Sequence, residues 1–420
     1  MFMLTKEMLD ALSGLLSIES VAEDGQGDAP FGEGCKAALD YMLALCDGFG
    51  FRTKRCGNLL GYAEIGEGDE LIGILVHLDV VPAGGGWDYP AFGLTSVDGR
   101  LYGRGISDDK GPAMMCVFAM KELLDSCVKL NRRIRIIFGL TEERGEWKDM
   151  KYYRETEELP TFGITPDASF PAVYGEKGIL VLKLKAPLDG SGIDEIAGGT
   201  AHNVVPDSCK AKVGGRDFTA TGKSAHGSVP HKGINAILKL MSEVNSTCPG
   251  RLSRFFVERF GETTDGSLIG CNFSDEQSGA LTLNVGVIEV VAGNVEITVD
   301  IRYPVTYKGS DIMAIVAKAA AEYGIVCELD EDKAPVYMDK NGPLITALTS
   351  VYREETGDTT DAFVMGGGTY ARAMGNIVAF GPLFPTSPET EHQKNEYMLE
   401  REFELAYRIY CKALRRMLEI

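Results

Sequence analysis

Five histidines stand in this chain, at positions 77, 202, 226, 231 and 392, and carboxylates cluster near several of them. In LVHLDVVP, His77 and Asp79 close an apolar run; two residues apart in a strand, their side chains leave the same face. That is the arrangement of a metal-binding imidazole and the carboxylate that orients it, and equally of a strand-end pair satisfying each other's hydrogen bonds. In GRGISDDKGP, Asp108 and Asp109 ride a glycine-loosened loop towards a helix starting near Pro112, as metal-binding carboxylates or as plain helix caps. The run RIRIIFGL ends in Thr141, Glu142 and Glu143. One glutamate suits a metal and its neighbour a general base, although two solvated glutamates are the commoner reading. Asp167 in FGITPDASFP and His392 in TEHQKNE complete the set. It is the conjunction that decides: two imidazoles and several carboxylates suit a pair of divalent ions, roughly 3.5–4 Å apart, that activate a water and polarise a carbonyl. Without cations the converging carboxylates would repel one another and their pKa values would rise.

These residues need strand ends to hold them. Apolar residues at helical spacing over the first sixteen positions predict an opening helix, and a second is predicted over 35–49. Strand-like runs then alternate with helical ones at 71–81, 112–127 and 132–140, the pattern of an α/β fold with a largely parallel sheet. In such a sheet, ligand-bearing residues emerge at the carboxyl ends of strands. Beyond Leu180 the chain changes to shorter strands and isolated helices, an α+β pattern, and from about 335 the earlier character returns. The reading is a split catalytic domain, 1–180 and 335–420, with an α+β domain inserted at 181–334. No internal repeat or low-complexity linker interrupts it.

Composition narrows the function. With 42 Lys and Arg against 61 Asp and Glu the formal charge is −19, which argues against nucleic acid, whose affinity comes mostly from neutralised phosphates. Ten cysteines are scattered singly and read as reduced thiols of a cytoplasmic protein. Lys6, Glu7 and Asp10 interrupt any leader-like apolar region, and no stretch reaches the length of a membrane span.

In order along the chain, HLDVVPAG, GRGISDDKGP, TEE, TPDASFPAVYGEKG, HNVVPD, GKSAHG, NVEITVDIRYP, GGGTYAR and H-x-x-N-E resemble the M20 metallopeptidases, most of all the PepV-type dipeptidases. The resemblance implies a zinc-exopeptidase-like catalytic domain with an inserted lid. It implies that His77 and Asp167 bind one metal, Glu143 and His392 the other, and that Asp108 bridges both. Asp79 would orient His77, Glu142 would be the general base, and the Asp108–Asp109 peptide bond would be cis. In the lid, His226 would stabilise the oxyanion, and Asn203 and Arg302 would bind substrate, Arg302 clamping its terminal carboxylate. Gly366, Gly367, Gly368, Thr369 and Tyr370 would bring backbone to the same end. Read without the resemblance, Arg302 is a sheet-surface ion pair and 366–368 a plain turn. The implied ions are zinc, with manganese or cobalt as alternatives. The implied partner is a small peptide and the implied state a monomer, with no membrane or nucleic-acid partner.

Two departures from the family pattern bear on specificity: Gly85 stands where relatives often have an acidic residue, and 143–147 is about one residue longer than expected. His202 stands beside Asn203 where a small residue is expected. Neither His202 nor His231 is assigned to the metals; both read as surface or structural. The favoured function is hydrolysis of dipeptides or short peptides. The alternatives are an N-acyl amino acid amidohydrolase, such as a deacetylase or a succinyl-diaminopimelate desuccinylase-like enzyme, and a non-catalytic homologue.

Overall fold

The computed structural model describes residues 4–126 and 130–420; Met3 of the opening helical pattern and Cys127 lie outside the described residues. The chain divides into two units. One holds the described residues up to Tyr174 together with Met338–Phe363 and Thr369–Ile420, and the other holds Gly175–Tyr337 and Val364–Gly368.

In the first unit a mixed sheet runs in the order Arg52–Cys56, Leu60–Ile65, Arg133–Gly139, Leu71–His77, Phe162–Thr165, Ile377–Ala379 and Val173–Glu176. Its middle is parallel: Leu71–His77 pairs in parallel with Arg133–Gly139 on one side and Phe162–Thr165 on the other, and the latter with Ile377–Ala379. Every residue of Leu71–His77 is buried, as a central parallel strand covered on both faces requires. The helix Lys110–Asp125 is buried without a break from Lys110 to Met120. The helix Glu400–Met417 buries Phe403, Ala406, Tyr410, Ala413, Leu414 and Met417, one apolar stripe at three- and four-residue spacing.

The second unit is an antiparallel sheet of seven strands in the order Arg216–Thr221, Ser208–Val213, Glu195–Gly198, Thr282–Val291, Asn294–Tyr303, Gly178–Pro187 and Val326–Lys333. Ser208–Val213 alternates exposed and buried residues, the period-two signature of a sheet with one covered face. That face packs Cys209, Ala211, Phe218 and Ala220 against Ile237, Leu240, Met241 and Val244 of the helix Ala236–Thr247. The short segment 364–368, which the sequence groups with the second catalytic piece, joins this unit. Met365 O accepts from Lys177 N at 2.9 Å, and Gly366 O from Arg302 Nη1 at 3.0 Å.

The cysteines other than Cys127 are free thiols, most of them buried. Among the described residues no helix is long and apolar enough to cross a membrane.

Candidate metal centre

Three neighbouring parallel strands end together and deliver the chemistry. His77 is the last residue of the central strand, opposite Gly139 in register; Glu142 and Glu143 follow Arg133–Gly139, and Asp167 follows Phe162–Thr165. Carboxyl ends of adjacent strands are where such sheets place their sites. Asp108 arrives from the loop that leads into Lys110–Asp125, and His392 from a loop late in the chain.

Asp108 sits at the middle. Its Oδ1 lies 2.9 Å from His77 Nε2 and its Oδ2 lies 2.9 Å from His392 Nε2. His392 Nε2 is also 3.1 Å from Glu143 Oε1, and His77 Nε2 is 4.0 Å from Asp167 Oδ2. Two clusters with the spread of a cation's ligand shell result: His77, Glu142 and Asp167, and Asp108, Glu143 and His392. The Asp108–Asp109 peptide bond is cis.

The donor chemistry fits divalent ions. His77 Nδ1 faces the Asp79 backbone oxygen at 2.9 Å, which assigns the proton to Nδ1 and leaves the Nε2 lone pair turned towards carboxylate oxygens. Acceptors facing acceptors require a cation between them, a proton or a metal. Burial works against a charge on His77, yet the hydrogen bond with Asp108 and the nearby Asp79 carboxylate outweigh it and raise its pKa well above the usual value. Hydrogen bonds with Asp108 and Glu143 push His392 up to about 11.

The carboxylates divide. Burial first, and then the charges of Glu143 and Asp108, lift Glu142 to about 8. Burial and the charge of Asp108 also raise Glu143 and Asp167. Asp108 moves the other way: burial pushes it up, but hydrogen bonds with His392 and His77 hold it well below the usual carboxylate range. The general rise expected from the sequence therefore spares the one carboxylate placed between both imidazoles.

The Asp79 side chain differs from its expected use. Its Oδ1 is 3.5 Å from His77 Nδ1, beyond a good hydrogen bond, and the ring is held by the backbone oxygen instead. The carboxylate accepts from Glu142 N at 3.2 Å and Glu143 N at 3.1 Å. The two preceding amides, of Leu140 and Thr141, donate to Asp149 Oδ2 at 2.6 and 3.1 Å. Four consecutive amides of the glutamate turn are thus held by two buried carboxylates.

Asp149 also accepts from Thr141 Oγ1 and from the Tyr370 hydroxyl, at 2.8 and 2.7 Å. Tyr370 reaches it by passing under the strand end at Gly139, where a Cβ would lie 2.3 Å from the ring, so only glycine fits there. Glu396 does comparable work for the Asp108 loop. It accepts from Gly105 N, Ser107 N and Ser107 Oγ at 2.9–3.1 Å and pairs with Arg104 Nη1 at 2.7 Å. Asp109 Oδ2 accepts from His77 N at 3.1 Å.

Sequence reasoning gave no role to Asp149, Glu396 or the side chain of Tyr370. Asp149 reads as an ordinary acidic residue in a first helical turn, and its partner Tyr370 lies 221 positions away. Glu396 stands inside the quoted H-x-x-N-E motif, and that was its one signal.

The second unit gathers its own predicted residues. His226 pairs with Val204 in an isolated antiparallel bridge, and Gly227 N donates to Asn203 O at 2.6 Å. His226 Nδ1 accepts from Ser228 N at 3.2 Å, with Ser228 Oγ at 2.7 Å. The ring proton therefore sits on Nε2, which is a donor. Partial desolvation and the charge of Arg302 lower the His226 pKa, which keeps the ring neutral. Arg302 is buried and gives Nε and Nη2 to Asp300 at 2.6 and 2.8 Å. A Cβ on Gly366 would lie 2.9 Å from the Ser228 Cβ. In the first unit, Thr369 is buried and its hydroxyl accepts from Ala371 N at 3.1 Å.

Comparison with known proteins identifies the family. The sequence matches the profile of peptidase family M20/M25/M40 over residues 73–416. It is 36% identical to the "Putative dipeptidase" of Staphylococcus epidermidis and 35% identical to that of Staphylococcus haemolyticus, in both cases over 97% of this chain and 96% of the relative. The crystal structure of human carnosine dipeptidase 1 shares the fold at 15% identity, with a TM-score of 0.66 over 99% of this chain and 96% of that one. The chain belongs to peptidase family M20/M25/M40.

Proposed function

We propose that the protein hydrolyses dipeptides, and that His77 with Asp167 and Glu143 with His392 hold one divalent ion each while Asp108 serves both. The observation that carries this reading is Asp108, whose two oxygens each meet a different imidazole. Bound there, a pair of ions supplies an activated water and polarises the scissile carbonyl. Zinc is the first choice, with manganese or cobalt as alternatives, because nitrogen and oxygen donors accept all three.

Glu142 acts as the general base. It is buried in the same cluster as His77 and Asp167, where the charge of bound cations would favour its ionised, proton-accepting form. It takes one proton from the attacking water and delivers it to the leaving amine. Asp79 and Asp149 hold the turn that aims it. His226 donates from Nε2 to the oxyanion as the carbonyl carbon becomes tetrahedral, and as a neutral imidazole it stabilises that charge by hydrogen bonding while keeping its proton. Arg302 retains N–H groups beyond those given to Asp300 and Gly366, and these bind the terminal carboxylate of the substrate; Asn203 and the backbone of Gly367, Gly368 and Thr369 are assigned to substrate binding by the family resemblance. The staphylococcal relatives support a dipeptide substrate, and free thiols support a cytoplasmic setting.

The same machinery serves an N-acyl amino acid amidohydrolase. One experiment separates the two: hydrolysis of an unblocked dipeptide and of its N-acetylated counterpart by metal-stripped protein reconstituted with zinc or manganese. Cleavage of the free dipeptide alone supports the proposal. Cleavage of the acetylated compound at its acyl bond moves the protein to the amidohydrolases, and no cleavage of either by reconstituted protein removes both readings.

A further inference from the structure

His202 is one of the histidines that the metal centre does not use, and it stands where a small residue is expected. Its Nδ1 lies 3.0 Å from Asp300 Oδ2. The same oxygen accepts from Arg302 Nη2 at 2.8 Å, and Asp300 Oδ1 accepts from Arg302 Nε at 2.6 Å. Asp300 is therefore a hub with a guanidinium on one edge and an imidazole beside it.

Accessibility separates the three members. The Asp300 side chain is 0% exposed and that of Arg302 5%, whereas the His202 side chain is 37% exposed. A buried guanidinium locked side by side with a buried carboxylate presents little net charge, since each cancels the other at contact. Counting donors sharpens the point. Of the five N–H groups of Arg302, two go to Asp300 and one to Gly366 O, which leaves two, one on each terminal nitrogen. The accessible cationic edge of the cluster belongs to the imidazole. Its backbone is fixed as well: Asn284 Nδ2 donates to His202 O at 3.0 Å, and a Cβ on Gly286 would lie 2.3 Å from that oxygen.

We propose that His202 is a specificity-determining residue, which meets the terminal carboxylate of the substrate alongside Arg302 and restores the positive charge that Asp300 cancels. The inference rests on the dipeptidase reading above. With Nδ1 committed to Asp300, the ring donates to a carboxylate from Nε2 when doubly protonated. The charged and titratable groups gathered here are Asp300 and Arg302 on the strand Asn294–Tyr303, together with His226, which senses the charges of both.

The test compares a dipeptide with the same dipeptide carrying a C-terminal carboxamide, in wild type, His202→Ala and His202→Gln, at pH 6 and pH 8. Wild type is expected to prefer the acid over the amide in kcat/KM, more so at pH 6. His202→Ala is expected to lose about tenfold of that preference, through KM, while its rate on the amide stays near wild type. A role confined to bracing Asp300 would depress both substrates together and leave the preference unchanged, and that result overturns the proposal. His202→Gln keeps a donor for Asp300 but no charge, so it is expected to keep the fold and still lose the pH 6 enhancement; an enhancement equal to wild type also overturns the proposal. Wild type that cleaves neither peptide overturns the dipeptidase reading, and this inference with it. An active wild type with an unaltered preference in both variants overturns this inference alone.

Discussion

Asp108 and Glu142 are both acidic and both close to His77, yet their surroundings divide them. Asp108 lies between two imidazoles, which hold its pKa down, whereas burial and the charges of Glu143 and Asp108 push that of Glu142 up. Two carboxylates with pKa values pushed apart by environment take different roles. Glu142→Ala is therefore expected to lower kcat by roughly 10²–10⁴-fold with metal content near wild type, while Asp108→Ala loses metal as well as activity. Steady-state kinetics with elemental analysis of the purified variants checks both; activity in Glu142→Ala equal to wild type removes the base assignment. At this scale much was legible in the sequence, because His77, Glu143 and Asp167 follow apolar runs whose period announces a strand, and strand ends are where ligands gather. The direction of the Asp79 side chain was not legible. Spacing places it on the face of His77, but only the fold brings the amides of Glu142 and Glu143 within its reach.

Among the elements, the turn 140–143 and the loop 105–107 are the parts that must not move. Each is fixed by a buried carboxylate that binds no metal in the proposed centre. Asp149 receives five donors on two oxygens, from Leu140 N, Thr141 N, Thr141 Oγ1, Met150 N and the Tyr370 hydroxyl. An amide side chain of the same shape offers one acceptor oxygen and turns N–H groups towards other donors. Asp149→Asn is expected to lose about 1–3 kcal/mol of stability and at least tenfold in kcat with KM little changed. Tyr370→Phe, which removes the hydroxyl's bond to Asp149 and its acceptance from Thr141 N, is expected to cost about 1–2 kcal/mol. Thermal melts beside kinetics test this, and an Asp149→Asn protein with wild-type kcat would show that the turn holds its shape without the clamp. These contacts join residues 221 and 292 positions apart, and no local pattern in a sequence encodes such a pairing. The joining of 364–368 to the second unit was hidden for the same reason, since it depends on Arg302 and Lys177 far upstream.

For the molecule as a whole, Lys110 ties together parts of the first unit and makes its stability depend on pH. The side chain is fully buried, and Nζ donates to Leu15 O and Ile18 O at 3.3 and 2.6 Å, at the carboxyl end of the helix Lys6–Leu16, where a cation is favoured. Burial lowers its pKa to about 7 against the opposing charges of Glu396 and Asp79. The unfolded chain, with an ordinary lysine near 10.4, binds more protons than the folded chain between these values. Stability therefore rises with pH from about 7 to about 10, by up to about 1.4 kcal/mol per pH unit from this group, and the contribution is flat below 7. Urea melts of wild type and Lys110→Met at pH 7 and pH 9 measure it; the wild-type gain on going to pH 9 is expected to exceed that of the variant, and equal gains would dismiss Lys110 as the source.

The contact between Asp108 and His392 spans 284 positions, and almost all of the second unit lies within that span. A ribosome making this protein has released His77, Asp108, Glu143 and Asp167 long before residue 392 appears. Until then the proposed centre lacks one imidazole, and Asp108 lacks one of the two partners that keep it ionised. In the proposed centre, the order of synthesis therefore leaves the second ion without its imidazole until the two distant stretches of one unit have closed on each other.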